Sequence, residues 1–234
     1  MPSPQNDYIA VVYNEKDRPF TNYPDRLAKY LVSRYNLKGG LRFLELGCGR
    51  GEFLSGFIKQ GLNGYGVDQS DLAKRLCPEA EIKIANLEDG IPFDDNFFDV
   101  VYSKSVVEHF YYPEKIISEI LRVLKPNGKA ITLTPDWSHV YKTFYEDYTH
   151  RTPFTMNSLR DIMLIHGFEK VQVEHFLQLP IVWKLPCIKL LSMIVSFFSP
   201  QYLVQKFKFI RFSKEVMLLS TAVKPRQDDI RKHI

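Results

Sequence analysis

The sequence predicts an α/β fold in which a doubly wound, mostly parallel sheet is flanked by helices. Short apolar runs alternate with helical stretches between residues 41 and 135, the pattern of parallel strands joined by crossover helices. A glycine-rich turn separates the first apolar run from the helix after it. With 234 residues, 45% of them apolar and 25% charged, the chain is large enough to fold around its own core.

Seven segments have the composition of strands: Arg42–Leu46, Gly64–Asp68, Glu81–Ile84, Phe98–Ser103, Lys129–Thr134, Phe168–Phe176 and Glu215–Val223. Helices are predicted where apolar residues recur at helical spacing or a glycine ends the segment: 24–35, 53–61, 113–124 and 159–166. A turn over 125–128 is predicted to end the third helix. A loop of about 20 residues follows the fifth strand, and loops of that length are usually functional or disordered.

The segments group into four predicted regions. An N-terminal segment and helix occupy 1–40, and the sheet with its helices occupies 41–177. A basic, apolar insertion is predicted over 178–214, and a final strand and tail over 215–234.

The net charge of +4 is unevenly distributed. Residues 177–234 hold ten Lys/Arg against three Asp/Glu, and the rest of the chain holds 21 against 24. The longest uncharged run in the insertion, 190–205, has 16 residues and contains Pro200, which is shorter than the ~20 residues of a spanning helix. The segment 179–214 is therefore predicted either to be a helical lid on the core or to contact a membrane surface peripherally.

The cysteines predict neither a disulfide framework nor a metal site. Cys48, Cys77 and Cys187 are odd in number and far apart, without a Cys-x-x-Cys pair. The N-terminus lacks the basic start and long apolar stretch of a secretory signal. These features predict a reduced, cytoplasmic protein that is stable without metal.

The sharpest motif is the turn over 45–51, Glu-Leu-Gly-Cys-Gly-Arg-Gly, between a strand and a helix. Glycines there allow a ligand to approach the backbone, and the helix N-terminus offers unpaired N–H groups. The spacing is Gly-x-Gly-x-Gly, whereas a dinucleotide fingerprint needs Gly-x-Gly-x-x-Gly. The residue after Gly51 is Glu52, whose carboxylate would repel a pyrophosphate. Asp68, at the end of the second strand, can accept hydrogen bonds from ribose hydroxyls. A ribose with a non-phosphorylated tail indicates S-adenosylmethionine.

With these motifs the chain resembles the class I S-adenosylmethionine-dependent methyltransferases, and among them the type 11-like subgroup that methylates small molecules. ELGCGRG matches the first motif of that family, and GVD its ribose motif. IPFDDNFFDVVYSKSVVEHF resembles the approach to the fourth strand, and LRVLKPNGKAITLTPD the fifth strand with its preceding loop. The resemblance covers about Leu41 to Gly167. It implies a Rossmann-like sheet of seven strands with an antiparallel closing strand.

The resemblance also implies the cofactor-binding residues. Gly47, Gly49 and Gly51 would line the methionine portion, with Glu45 organising the turn near its amino group. Asp68 would hold the ribose.

Three more residues are implied for the rest of the cofactor. Asn86 and Leu87 fall where the family contacts adenine, although the family usually has Asp at the position of Asn86. Ser103 would lie beside the sulfonium at the end of the fourth strand.

Residues after the fourth and fifth strands are candidates for the acceptor side, because ligands of open α/β sheets bind at the carboxyl ends of the strands. These candidates are Glu108, His109, Asp136, Asp147 and His150. An imidazole suits removal of a hydroxyl proton near neutral pH, so His150 or His109 is predicted as the base, with Asp147 as a third catalytic residue. The remaining histidines are predicted to be surface or packing residues: His139, His166, His175 and His233.

Methyl transfer to a small-molecule hydroxyl, of a sugar or lipid-type precursor, is the predicted function. The alternatives are a non-catalytic S-adenosylmethionine-binding partner subunit and an N- or C-methyltransferase. Nucleic acid is not the predicted partner, because the basic residues of the N-terminal body are not interleaved with aromatics. The oligomeric state is left open.

Overall fold

The computed structural model describes residues 19–185, 187–188, 191–192, 194–195 and 207–226. Within them lie the strands β1 (Arg42–Leu46), β2 (Asn63–Asp68), β3 (Glu81–Ile84), β4 (Phe98–Lys104), β5 (Leu124–Pro135), β6 (Glu169–Leu177) and β7 (Val216–Val223). The helices are α1 (Tyr23–Arg34), α2 (Glu52–Ile58), α3 (Leu72–Leu76), α4 (Pro113–Val123), α5 (Trp137–Val140), α6 (Met156–Ile165), α7 (Pro180–Lys184) and α8 (Lys208–Lys214). Single 3-10 turns are at Leu87–Asp89, Val107–His109 and Phe144–Glu146.

The seven strands form one sheet in the order β3-β2-β1-β4-β5-β7-β6. β2 is parallel to β1 and β3, and β5 is parallel to β4. β7 is antiparallel to both of its neighbours, β5 and β6. The predicted fold class, a mostly parallel sheet of seven strands with an antiparallel closing strand, is confirmed.

The chain divides into two compact units, residues 1–92 and 93–234. In the first unit β1 is buried on both faces from Phe43 to Leu46, as expected for a strand covered by helices on each side. Phe43 of β1 is fully buried and stacks on Phe57 of α2, with ring centroids 4.1 Å apart. The boundary between the units lies within the predicted 41–177 region, whose limits stay a prediction.

In the second unit α4 buries one apolar stripe. Ile116, Ile117 and Ile120 are at most 1% exposed, which matches the helical spacing seen in the sequence. α6 begins at a capping box: the Thr155 hydroxyl accepts from the Ser158 backbone N–H, and the Ser158 hydroxyl accepts from the Thr155 backbone N–H. These helices hold the strands whose carboxyl ends carry the candidate acceptor residues.

Two segments of the second unit differ from the sequence prediction. β5 begins at Leu124 rather than Lys129, because Leu124 pairs with Phe98 and the strand then continues past an irregularity in register. Asn127 accommodates the bend with a left-handed φ of 64°. The predicted loop after β5 contains α5 and a 3-10 turn, since the Asp136 carboxylate accepts from the Ser138 backbone N–H and caps α5.

The described part of the insertion packs on β6 and β7. Its buried cluster, with the partly buried side chains around it, consists of Leu177, Leu179, Val182, Val216, Ile188, Phe209 and Phe212. The Trp183 indole donates to the Leu177 carbonyl at 2.8 Å and stacks on Phe176. Most of the uncharged run 190–205 lies outside the described residues, as does His233. In the ranges that are described, none of the helices has the length and apolar character needed to cross a bilayer.

Candidate functional site

The turn between β1 and α2 is held by backbone groups. Gly47, Gly49 and Gly51 have φ angles of 62°, 51° and 76°, in the left-handed region that glycine adopts without strain. The N–H groups of Gly47 and Cys48 donate to the Val67 carbonyl at 2.8 and 3.2 Å, which ties the turn to β2. The Gly51 N–H donates to the Cys48 carbonyl at 2.7 Å, so the turn closes on itself before α2 begins.

Gly49 and Gly51 differ in what surrounds them. A Cβ on Gly51 would lie 2.8 Å from the Cβ of Cys77, so that position is closed by packing. A Cβ on Gly49 would meet no atom within 4 Å, so the space beside Gly49 is open. Open space over a glycine backbone is what a closely approaching ligand requires, which fits the expected S-adenosylmethionine.

Asp68, the predicted ribose ligand, also supports the turn. One carboxylate oxygen accepts from the Gly49 N–H at 2.8 Å, and the other accepts from the Ser70 N–H at 2.9 Å. The side chain is thus fixed beside the open space at Gly49 and is 8% exposed as a residue. A carboxylate can accept about four hydrogen bonds, so these two contacts are compatible with binding a ribose as well.

The other predicted cofactor residues of the first unit have structural partners of their own. The Asn86 side-chain oxygen accepts from the Glu88 N–H at 3.0 Å and caps the 3-10 turn that includes Leu87. Glu45 is buried in β1. Its charge adds to the effect of burial, which raises the pKa of Cys48 above its ordinary value. Asn86 thus caps this turn, in addition to the adenine contact that the family resemblance implies.

Glu52 is paired, which bears on the argument against a pyrophosphate. The Arg50 guanidinium donates to the Glu52 carboxylate at 2.9 Å and 2.6 Å, and both side chains are largely buried. The negative charge expected at Glu52 is therefore balanced within the turn. The repulsion argument is weaker than the sequence suggests, while the Gly-x-Gly-x-Gly spacing is unaffected.

Ser103, in the second unit, is the penultimate residue of β4, one residue before the strand ends. The residue is 1% exposed, and its hydroxyl donates to the Thr132 hydroxyl of β5 at 3.2 Å. Ser105, two residues later, takes a left-handed φ of 55° as the chain leaves the strand. This bend leads into the 3-10 turn that carries the Glu108 and His109 side chains.

Two motifs that are 40 residues apart in sequence meet in the second unit. The backbone N–H groups of Arg151 and Thr152 donate to the Glu108 carbonyl at 2.8 and 3.0 Å. This contact sets the His150 ring against the His109 ring, with centroids 4.9 Å apart. One ligand atom of each of Glu108, His109 and His150 lies within 4.8 Å of the others. The predicted catalytic histidines are thus brought together.

A hydroxyl relay joins the third predicted catalytic residue to this pair. The Thr149 hydroxyl donates to the Asp147 carboxylate at 2.6 Å and lies 2.9 Å from Nδ1 of His109. Its single proton is used on Asp147, so it accepts from an Nδ1–H of His109. Nε2 of neutral His109 therefore carries the lone pair. Asp147 acts on His109 through Thr149.

His150 has the same tautomer preference from a different partner. Its Nδ1 lies 2.5 Å from the Phe144 backbone carbonyl, which can only accept a hydrogen bond. Nδ1 is therefore the protonated nitrogen, and Nε2 is the lone-pair nitrogen of the neutral ring. The short 3-10 turn at Phe144–Glu146, which the sequence did not predict, supplies this contact.

Glu108 is fully buried, and only one of its oxygens has a partner. Oε2 accepts from the Thr134 hydroxyl at 3.0 Å, and Oε1 has no hydrogen-bond partner among the described residues. Burial raises the pKa of Glu108 to about 7. Its place before a histidine made it a candidate, but its burial and its shifted pKa are visible only in the fold.

A second cluster unites residues that the sequence separated. Asp136, a candidate in the sequence analysis, is fully buried, and one of its oxygens contacts both His139 and His175. The two histidines were predicted to be surface or packing residues, and their side chains are 40% and 39% exposed. His166, placed in the same group, instead pairs with the Ser118 hydroxyl at 3.0 Å.

Comparisons with known proteins agree on the core region. Residues 44–132 match a family described as a methyltransferase domain. An uncharacterized protein from Methanocaldococcus jannaschii is 28% identical and aligns over 76% of this chain and 79% of its own length. The ubiquinone biosynthesis O-methyltransferase of Rickettsia felis is 32% identical over 44% of this chain and 45% of its own.

A solved structure shares the fold. Phosphoethanolamine N-methyltransferase 2 of Haemonchus contortus, in complex with phosphomonomethylethanolamine and S-adenosylhomocysteine, superposes with a TM-score of 0.65. The identity is 20%, and the match covers 95% of this chain and 58% of that one. This chain spans less than two thirds of the Rickettsia and Haemonchus proteins, so their acceptors do not carry over to it.

The matched region contains the glycine turn with its open space at Gly49, the carboxylate of Asp68 beside it, and the fourth strand with the turn that follows. The sheet order with an antiparallel β7 agrees with that match. Residues 44–132 therefore match a methyltransferase domain, and the chain shares its fold with a solved methyltransferase.

Proposed function

We propose that this chain transfers the methyl group of S-adenosylmethionine to a hydroxyl oxygen of a small molecule, of sugar or lipid-precursor type. His109 is the general base in this proposal. The observation that carries it is the Asp147–Thr149–His109 relay. The relay uses Nδ1 of His109, so the lone pair of the neutral ring is on Nε2, which the relay does not use.

The protonation state of His109 supports this role. Burial lowers the pKa of His109 below its ordinary 6.5, and the charge of nearby His150 lowers it further. At neutral pH the ring is therefore neutral and able to accept a proton. We expect turnover to rise with pH through an apparent pKa below 6.5 and to be flat above it, as long as no other group limits the rate.

Glu108 and His150 suit contact with the acceptor. The partnerless Oε1 of Glu108 can accept a hydrogen bond from a second hydroxyl of a sugar or polyol. His150 lies beside it with Nδ1 bound to the Phe144 carbonyl, so Nε2 is not used in that contact and can also meet the acceptor. A cluster with several atoms that can accept hydrogen bonds favours a substrate that carries several hydroxyl groups.

The first unit supplies the cofactor side. The backbone at Gly49 and the Asp68 carboxylate would hold the methionine part and the ribose. When bound, S-adenosylmethionine supplies a methyl group that its positive sulfur has already activated, so the protein mainly has to orient the acceptor and remove its proton.

An acceptor panel tests the proposal. The chain is incubated with S-adenosylmethionine carrying a labelled methyl group and with matched pairs of compounds that bear a hydroxyl or an amine on the same scaffold. The panel includes sugars, lipid-linked alcohols and ethanolamine phosphate. We expect label on oxygen, and we expect its rate to fall in His109→Ala but not in His166→Ala. Label on nitrogen or carbon would overturn the choice of acceptor atom, and cofactor binding without transfer to any compound would favour a non-catalytic subunit.

A further inference from the structure

We propose that Asp136, His139 and His175 form a binding site for a divalent first-row transition metal of the Zn²⁺ type. The sequence analysis predicts no metal site, and the proposed methyl transfer does not require one. The site is therefore independent of the proposed function and is tested by metal binding, not by turnover.

The sheet register brings the three residues to one place. His175 of β6 pairs with Leu218 of β7, and Leu218 pairs with Thr134 of β5. His175 is thus in register, across β7, with Thr134 near the end of β5. Thr134 is two residues before Asp136 in the sequence. His139 lies three residues after Asp136, in the helix that Asp136 caps, so its side chain returns to the same side.

The three ligand atoms already face one another. Nε2 of His175 lies 3.1 Å from Oδ2 of Asp136, and Nδ1 of His139 contacts the same oxygen. One ligand atom from each residue lies within 4.8 Å of the others. Zinc binds nitrogen and oxygen ligands at about 2.0–2.2 Å, so small side-chain movements would place an ion between these atoms.

The three side chains differ in exposure, as they do in a metal site that is open to solvent on one side. The Asp136 side chain is fully buried, whereas the two imidazoles are about 40% exposed. The other Asp136 oxygen accepts from the Ser138 backbone N–H, which fixes the carboxylate in orientation. Three protein ligands with solvent on one side leave a fourth position for water, as catalytic zinc sites do.

The donor set selects the class of metal. Two imidazole nitrogens and one carboxylate oxygen suit Zn²⁺ and its neighbours in the first row, whereas Mg²⁺ prefers oxygen ligands alone. Glu108, His109 and His150 also lie close enough together to hold a metal ion. In that group, however, Nδ1 of His109 contacts the Thr149 hydroxyl and Nδ1 of His150 contacts a backbone carbonyl. His139 and His175 are about 40% exposed and contact the Asp136 carboxylate directly, so a solvent ion can reach the Asp136 cluster from the histidine side.

The test is titration of the untagged, metal-stripped full chain with Co²⁺ and Zn²⁺. We expect one equivalent of Co²⁺ to bind with the visible absorption of a nitrogen- and oxygen-ligated ion, and Zn²⁺ to displace it. We expect Zn²⁺ to raise the Tm and Mg²⁺ at the same concentration to leave it unchanged. Absence of Co²⁺ and Zn²⁺ binding would overturn the proposal.

Variants locate the site. His139→Ala and His175→Ala should each weaken Zn²⁺ binding by more than about 100-fold, beyond the 10–100-fold that loss of an outer hydrogen-bonding partner causes. His166→Ala and His109→Ala are matched controls that should bind Zn²⁺ as the parent chain does. The exposed positions of His139 and His175 make loss of folding improbable as a cause, and the more conservative His139→Gln and His175→Gln variants provide a second pair. Binding that survives these variants, or that is lost in His109→Ala, contradicts the site.

Discussion

The glycine turn of the first unit and the histidine cluster of the second are built from different chemistry. In the turn, backbone N–H groups, left-handed φ angles and one carboxylate, Asp68, define the surface. In the cluster, hydrogen bonds join the side chains of His109, Thr149 and Asp147, and one ligand atom of each of Glu108, His109 and His150 lies within 4.8 Å of the others. The turn is a rigid shape, whereas the cluster is a set of proton donors and acceptors.

This difference teaches which property each region controls. A surface made of backbone groups does not change charge near neutral pH, so cofactor binding should vary little with pH. Glu108 of the cluster, whose pKa burial raises to about 7, changes its protonation within the physiological range. Variants in one region should therefore alter binding, and variants in the other should alter turnover.

The largest expected effect separates turnover from binding. His109→Ala removes the proposed base, and general bases contribute roughly 10²–10⁴-fold to rates, so we expect kcat to fall within that range. The KM for S-adenosylmethionine should stay unchanged. Steady-state methyl transfer measures both constants, with His166→Ala as the control. A fall in kcat of less than threefold would contradict the assigned role.

Glu108→Gln should change stability in a pH-dependent way. The pKa of Glu108 is raised from 4.5 to about 7 by burial, so its contribution to stability is fully present below pH 4.5 and is lost as the pH rises through 7. A glutamine is neutral at every pH. We expect the variant to be more stable than the parent chain by at most about 3 kcal/mol at pH 8, and by less than about 1 kcal/mol at pH 5.

Urea unfolding at both pH values measures this difference. Glu81→Gln, at an exposed position of β3, is the control and should show no pH-dependent gain. An equal effect of Glu108→Gln at pH 5 and pH 8 would show that ionisation of Glu108 is not the cause.

Two glycine variants test the rigid shape of the turn. In Gly49→Ala the Cβ would meet no atom, so the only cost is the unfavourable left-handed φ. That cost is about 1–2 kcal/mol. Gly51→Ala has the same backbone strain and in addition places its Cβ against Cys77. The free energy of unfolding should fall further in Gly51→Ala than in Gly49→Ala, whereas Gly49→Ala should weaken S-adenosylhomocysteine binding by filling the open space. The opposite order of stabilities would contradict the packing described for Gly51.

The smallest effect concerns the relay. Thr149→Val removes the hydroxyl between Asp147 and His109, and a single hydrogen bond contributes about 0.5–1.5 kcal/mol, so we expect kcat to fall by roughly 2- to 10-fold. Thr149→Ser keeps the hydroxyl and should restore most of the rate. If both variants lose the same activity, packing of the threonine methyl, and not the relay, is responsible.

The sheet could be predicted from the sequence because its signals are local. Arg42–Leu46 is a short segment with three apolar residues that ends at a glycine turn, and the observed β1 has the same limits. The start of β5 could not be predicted, because Leu124 joins the strand through a pairing with Phe98 that is distant in sequence. The same holds for α5, because a helix of four residues capped by Asp136 lies in a segment whose polar composition indicates a loop.

The candidate site was predictable in its residue types but not in its connections. His109 and His150 stand out beside recognisable motifs, whereas the role of Thr149 depends on a contact across 40 residues. A signal for Thr149 existed, since a threonine two residues after an aspartate often forms a local turn. His139 and His175 could not be linked from the sequence, because their meeting point is set by the pairing of three strands.

The central claim is that the first unit binds the cofactor and the histidine cluster acts on the acceptor. Its most direct test is calorimetric titration of S-adenosylhomocysteine into Asp68→Ala and His109→Ala in parallel, which requires no knowledge of the acceptor. Loss of two hydrogen bonds to a charged group, each worth about 1.5–3 kcal/mol, should weaken binding to Asp68→Ala by at least about 100-fold. His109→Ala should bind as the parent chain does. Equal losses of affinity in the two variants, or unchanged affinity in Asp68→Ala, would contradict the account.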